Sequence, residues 1–398
     1  MMTESRRRSQ AHFDWPLLVA VYALALFGLY CITMATYNPD VSGDLPLLNK
    51  ILNSRSSTWQ SIFLLVSPVI VGVVMAFPTE IIRTRTDLAY WGVLALLVIT
   101  LLAGEVSNNL KGWLDTGLGR SLQPCEFAKL SILLMLARQL SRTEKPMSKL
   151  KEFVRIMMLV GVPVLVILLQ GETGTVIVIG FMFLAMIYFA GVDMRLITAM
   201  LVVAAIGIGI IVAYGLMAEN LDYRITRLLA FLDPEKYSQS GGYQIIKSQT
   251  AIGSGQMTGI GTFVPGSFTT LQFVPESSTD SIFSVVGESF GFVGCAAVLL
   301  VYMFIVLRML YLARFTNDKF GQLVIIGVMA MLLFHVFQNI AMGMGLMPIT
   351  GIPLPFLSYG GSNFVTNIAG VSLVLNMTKG RSAASMVTMP LPKMRVNR

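Results

Sequence analysis

Apolar residues in this chain come in long, nearly unbroken runs, not in the alternating or one-sided patterns of strands and surface helices. Ten such runs stand near residues 16–36, 59–77, 88–103, 126–140, 153–170, 174–191, 195–217, 281–307, 320–344 and 361–377. A bilayer core about 30 Å thick takes roughly 20 helical residues, fewer where flanking side chains reach for the interface, so each run is long enough, or nearly so, to cross a membrane. The run at 126–140 is the least uniform, because Glu126, Lys129 and Arg138 interrupt it. The pattern predicts an all-α polytopic membrane protein of about ten transmembrane helices. A single transmembrane domain covers 16–377, between an N-terminal segment 1–15 and a polar tail 378–398.

Composition agrees with that class: of 398 residues, 55% are hydrophobic and only 13% charged. Charge placement then orients the chain. With ten spans and both termini on one side, that side carries 20 Lys/Arg and the other 8, the latter being Lys50, Arg55, Lys111, Arg120, Arg224, Arg227, Lys236 and Lys247. Positive residues accumulate on the cytoplasmic side, so both termini are expected inside. Cytoplasmic loops beside anionic lipid account for the net charge of +8, and no nucleic-acid partner is needed to explain it. Arg6 to Arg8 precede an apolar run too long for a secretory signal and without a small-x-small cleavage site, so that run reads as a retained helix. Cys31, Cys125 and Cys295 have neither disulfide-framework nor metal-ligand spacing.

The connections are unequal. A large extracytoplasmic loop of about sixty residues, 218–280, joins the seventh and eighth runs, and a charge-free outer loop, "GLMPITGIPLPFLSYG", fills 345–360. Loops this long are usually functional or disordered. Within the first, "YRITRLLAFLDPEKY" repeats Ile225, Leu228, Leu229 and Leu232 at helical spacing beside Arg224 and Arg227, which predicts a helix lying on the membrane surface. "YQIIKSQTAIGSGQMTGIGTF" follows, rich in glycine as tight turns or a close approach of backbone to ligand would require. The loop ends on "FVPESSTDSIF", which sets Glu276 and Asp280 immediately before an apolar run.

In order, the stretches "WLDTGLGRSLQPCEFAKL", "QGETGTVIVIG", "YQIIKSQTAIGSGQMTGIG", "VPESSTDSIFSVVGESFGFVG" and "PITGIPLPFLSYGGSNFVTNIAG" resemble the SEDS proteins of bacteria (shape, elongation, division and sporulation), typified by RodA and FtsW. The likeness runs from Trp113 to Lys379, and "PITGIPLPF" leans toward the RodA-like branch. It implies ten transmembrane helices in the bacterial cytoplasmic (inner) membrane. It also implies a glycosyltransferase that polymerises lipid II into a growing peptidoglycan chain, working with a class B penicillin-binding protein. The chain departs from the family's usual wording in three places. "QPCE" puts Cys125 where a hydroxyl is common, "QGETGT" supplies its acid as Glu172, and "VPESSTDSIF" has Ser278 and Ser281 where a histidine and an aromatic are usual.

Polymerisation requires the 4-hydroxyl of one sugar to attack the anomeric carbon of another and displace a polyprenyl pyrophosphate, so the hydroxyl needs a base. The resemblance assigns that role to Asp280, while by position alone Thr279 and Asp280 read equally as helix N-caps. Glu276 lies four residues earlier, on the same face if the helix already begins there. It could then share a divalent cation, Mg or Mn, or position the acceptor; no organic cofactor is expected. The pyrophosphate calls for cations, and Lys111, Arg120, Lys129, Arg224, Arg227 and Lys247 are the candidates. Lys129, three residues after Glu126, either serves the substrate or forms a structural pair within the fourth helix. Glu288 reads as a packing anchor, and His335, Gln338 and Asn339 as polar glue between helices. Ser358, Tyr359 and Gly360 are expected in a wall of the substrate cavity. Two other functions share the composition: a lipid II flippase or other transporter, and a non-catalytic scaffold for the penicillin-binding protein.

Overall fold

The structure is a computed structural model that describes residues 13–39, 45–107, 110–115, 121–144, 146–217, 223–237 and 241–379. In chain order the elements are α1 (Trp15–Ala35), α2 (Leu47–Asn53), α3 (Arg55–Ala76), α4 (Thr79–Thr84) and α5 (Thr86–Ala103). Three strands follow, β1 (Glu105–Ser107), β2 (Leu110–Asp115) and β3 (Ser121–Leu122). Then come α6 (Pro124–Leu140), α7 (Leu150–Leu169), α8 (Thr173–Ala190), α9 (Met194–Met217), α10 (Tyr223–Leu232) and α11 (Gly241–Ser254). The chain closes with α12 (Ile282–Arg314), α13 (Lys319–Gly343) and α14 (Gly361–Met377).

Seven of these helices, α1, α3, α5, α7, α8, α12 and α13, are long and apolar enough to cross a membrane. The other three expected runs also form helices where the hydropathy puts them: α6 and α14 have 17 residues each, and α9 is apolar over Met194–Gly207. The expectation of an all-α protein needs one correction. β1, β2 and β3 make a small antiparallel sheet in the order β1-β2-β3, built where the apolar run of α5 stops at Gly104.

The core is organised around α13, buried along nearly its whole length and packed against α6, α8, α12 and α14. Several charges at the opposite end of the bundle from the long loop are paired. Arg308 grips both carboxylate oxygens of Asp14, and Arg138, one of the three residues that interrupt the fourth apolar run, bonds Asp87 of α5.

The glycine-rich stretch corrects a second expectation. Its first part is helical, as α11, and its glycines approach protein backbone. α12 breaks at Gly291 (φ 62°, ψ −159°), and the loop after α11 takes up the groups this releases. Phe292 N donates to Gln256 O and Val293 N to Met257 O, while Ile260 N and Gly261 N donate to Glu288 O and Ser289 O. Side chains would prevent this docking, since a Cβ on Gly255 would overlap Gly287 O and one on Gly259 would overlap Ser289 O. Gly259 also has φ +84°, a region that costs about 1–3 kcal/mol for other residues. We predict that Gly259→Ala lowers stability by more than about 2 kcal/mol. Gly253→Ala, within α11 and facing open space, should instead stabilise by about 0.5–1 kcal/mol. Melting curves of the two detergent-purified variants separate these outcomes.

Candidate active site

The segment 278–281 lies just before α12, and its backbone is fastened from several elements. Tyr359 N donates to Ser278 O (2.9 Å), and Ser358 Oγ donates to Thr279 O (2.5 Å) while accepting from Leu354 N (2.8 Å). From α13, Asn339 Nδ2 donates to Asp280 O and to Ile352 O, each at 2.8 Å. From α11, Gln244 Nε2 donates to Ser281 Oγ at 3.1 Å. The N-cap of α12 is Ser281, with no side-chain capping bond, so Asp280 is not the cap.

The Asp280 carboxyl is half-buried and accepts no hydrogen bond among the described residues. Gly351, at φ +72°, passes so close that a Cβ there would lie 3.5 Å from Asp280 Oδ2. Burial pushes the Asp280 pKa up to about 7, helped by the charge of Glu276 and, less, of Glu172, and opposed by Arg227. Arg227, on α10, donates to Ile349 O (3.4 Å) in the same proline-rich loop.

Glu276 stands differently from the expectation that it shares a helical face with Asp280. It sits in a turn with φ +51°, its carbonyl accepting from Thr279 N and Ser281 N and its exposed carboxylate accepting from Thr279 Oγ1 at 2.8 Å. The helix begins only at Ile282, because residues 276–281 spend their backbone groups on this turn and on the neighbouring loop.

Glu172 is a site residue that the sequence reading noticed only as a variant acid. It occupies the N-cap of α8 without capping it and accepts from Gln123 Nε2 at 2.8 Å. β2 covers it: a Cβ on Gly112 would come 2.7 Å from Glu172 Oε1. Burial raises its pKa; the Gln123 hydrogen bond and the charges of Lys129 and Arg227 oppose this, while Glu126 adds to it. Its place ahead of an apolar run, like that of Asp280, was the available signal.

Lys129 and Glu126 are buried, 1% and 3% exposed, beneath this cluster. Lys129 Nζ lies 2.9 Å from Glu126 Oε1, and Asn363 Nδ2 of α14 donates to Glu126 Oε2 at 2.9 Å. The pair therefore braces α6 against α14, and its charge reaches Glu172 electrostatically. Lys247 sits over the rings of Tyr243 and Phe273, 5.5 Å from each centroid, which fits a cation–π contact on the outer loop. Lys111 falls in β2 and Arg224 in α10, and both side chains lie outside the described residues, as does Arg120.

Of the wall residues, Ser358 is buried and fastens Thr279, and Tyr359 contributes its backbone N–H. Gly360 is extended (φ 164°), a conformation any residue adopts. The glycine that geometry requires is Gly361, where a Cβ would press on the Phe63 ring at 2.5 Å. Glu288 accepts from Phe268 N (2.6 Å), Thr269 N (3.0 Å) and Thr269 Oγ1, so it anchors the outer loop and not another helix. Among the described residues, no group of three or more His, Cys, Asp or Glu is gathered to hold a metal.

What this bundle and acid cluster define is a polytopic membrane protein with its polar chemistry concentrated at one mouth. Residues 17–383 match the family model described as cell cycle protein, FtsW/RodA/SpoVE, and the chain belongs to that family. It is 35% identical to the peptidoglycan glycosyltransferase MrdB of Escherichia coli (strain K12) over 79% of this chain and 84% of that one. It is 30% identical to the peptidoglycan glycosyltransferase RodA of Treponema pallidum (strain Nichols), over 94% and 99%. Among solved structures, a chain of a peptidoglycan synthase complex coordinating polymerization and crosslinking superposes with TM-score 0.73 at 26% identity, covering 92% of this chain and 97% of that chain. Thermus thermophilus RodA superposes with TM-score 0.66 at 24% identity, covering 93% and 97%, a likeness of fold.

The electrostatics of Asp280 can be tested directly. Infrared difference spectra between the parent and Asp280→Asn should show a carboxyl titrating near pH 7. Glu276→Gln should lower that midpoint by removing a like charge, and Arg227→Gln should raise it by removing an opposite one. Shifts of the opposite sign would mean that these charges do not act on Asp280.

Proposed function

We propose that this chain is a peptidoglycan glycosyltransferase that joins lipid II units into glycan strands at the outer face of the bacterial cytoplasmic membrane. The observation that carries the reading is Asp280, a carboxyl with no hydrogen bond among the described residues, a proton affinity tuned to about 7, and a backbone held by Asn339, Ser358 and Tyr359. The names of the relatives supply the reaction class.

The 4-hydroxyl of one sugar attacks the anomeric carbon of the next. The new C–O bond forms as the bond to pyrophosphate breaks, its electron pair staying on the phosphate oxygen, and the hydroxyl proton passes to Asp280. A base with a pKa near the working pH is ionised in about half the molecules and still accepts a proton readily. Arg227, whose charge acts on Asp280, would receive the departing pyrophosphate, and Lys111 and Arg224 are the further candidates for that role. Lys129 adds positive potential from below, and Glu126 keeps it in place. A divalent cation, Mg or Mn, carried by the substrate phosphates and water would take Glu276 as its protein ligand and supply further charge neutralisation to the pyrophosphate.

A class B penicillin-binding protein is the expected partner, a reading supported by the synthase complex among the structural neighbours. Co-purified with that partner and given labelled lipid II, the parent should make polymer. Asp280→Asn should fold, bind the partner and lose about 10² to 10⁴-fold in rate. Activity within about threefold of the parent would sink the general-base role. Transport without polymer would favour a flippase, and absence of both a scaffold.

The proposed topology has ten crossings with both termini inside and the long loop outside. In a variant lacking Cys31, Cys125 and Cys295, Lys236→Cys should react with a membrane-impermeant thiol reagent in intact cells, and Ser148→Cys should not. The reverse pattern would invert the chain and remove the site from the outer face.

A further inference from the structure

His335 lies on α13 and is buried. Its Nδ1 is 2.7 Å from Met331 O, and a carbonyl can only accept, so Nδ1 carries the proton and Nε2 presents a lone pair. Lys129 Nζ is 2.9 Å from that Nε2. The ammonium thus has two acceptors on different helices, Glu126 on its own α6 and His335 on α13. One turn along α13, on the same face, Asn339 holds Asp280 O and Ile352 O.

We infer that His335 is a positioning residue for the site, acting through Lys129. A lysine head group sits on a flexible four-carbon stem, and a single partner three residues away on the same helix leaves it free to swing. His335 fixes it from across the helix interface. Because His335 holds the ammonium as a neutral acceptor, it orients the charge without adding a second carboxylate beside that of Glu126. The same helix face sets the depth of the Lys129 cation and the position of the Asp280 backbone, so α13 keeps base and cation in register. His335 touches neither substrate nor reacting atoms.

The kinetic part of this inference rests on the polymerase reading above. His335→Met fills the volume without an acceptor, and His335→Gln restores an acceptor of similar reach. With the partner and lipid II, His335→Met should lower kcat by about tenfold or more with KM within about twofold, because oriented charge matters most where charge develops on the leaving group. His335→Gln should recover kcat to within about threefold of the parent. Melting curves give an arm independent of activity: the double variant His335→Met/Lys129→Met should fall less far below the parent than the two single shifts added together. An unchanged kcat in His335→Met, a His335→Gln as slow as His335→Met, or strictly additive melting shifts would each overturn the inference. If the parent makes no polymer, the polymerase reading fails, and the melting cycle still decides whether His335 and Lys129 act as a pair.

Discussion

The carbonyls of residues 278–280 have to be satisfied before the carboxyl of Asp280 can be left unsatisfied. At the edge of a hydrocarbon phase an unpaired backbone group costs several kcal/mol, and a segment that leaves both backbone and side chain wanting partners would refold into a longer helix. Here Tyr359 N, Ser358 Oγ and Asn339 Nδ2 take the three carbonyls in turn. The backbone is thereby kept out of α12, and the carboxyl is left without a hydrogen bond among the described residues. Most of the outer architecture follows: the proline-rich loop supplies two of the donors, and α13 supplies the third.

The same accounting explains the break in α12. A helix interrupted at Gly291 releases N–H and C=O groups inside the bundle, and the glycine-rich loop after α11 pairs with them on both sides of the break. Glu288, just before the break, collects the amides of Phe268 and Thr269. The long outer loop is thus welded to the helix that follows Asp280, so a loop of this length can serve as a rigid wall.

What sequence could reveal here depended on whether the deciding partner was near in the chain. Runs of apolar residues reported their own helices, including weak α6, because burial in hydrocarbon is a local property of a segment. Glu126 and Lys129 were visible as a pair because they are three residues apart on one helix. Ser358 reads as a cavity-wall hydroxyl until its acceptor, Thr279 O, is seen 79 positions away. Gly255 and Gly259 look like ligand-facing turn residues until α12 is found against them. His335 and Asn339 were legible as polar residues in a helix, but their assignments came from α6 and from the turn before α12. The β-strands were hidden by their brevity and because "LKGWLD", with Trp113 beside Leu114, lacks the alternation of a strand.

Charge in this site is graded with depth. Nearest the mouth, Glu276 is exposed and Asp280 half-buried, so one acid stays solvated while the other has a pKa of about 7. Glu172, likewise half-buried, is held by Gln123, and Lys129 and Glu126 are sealed in the bundle with His335 and Asn363. A fully solvated acid would be too weak a base, and a fully buried one would hold its proton too tightly to ionise. The intermediate depth of Asp280 avoids both, and that depth is set by Asn339, a residue on a different helix whose next polar neighbour one turn away is the histidine that holds the deepest cation.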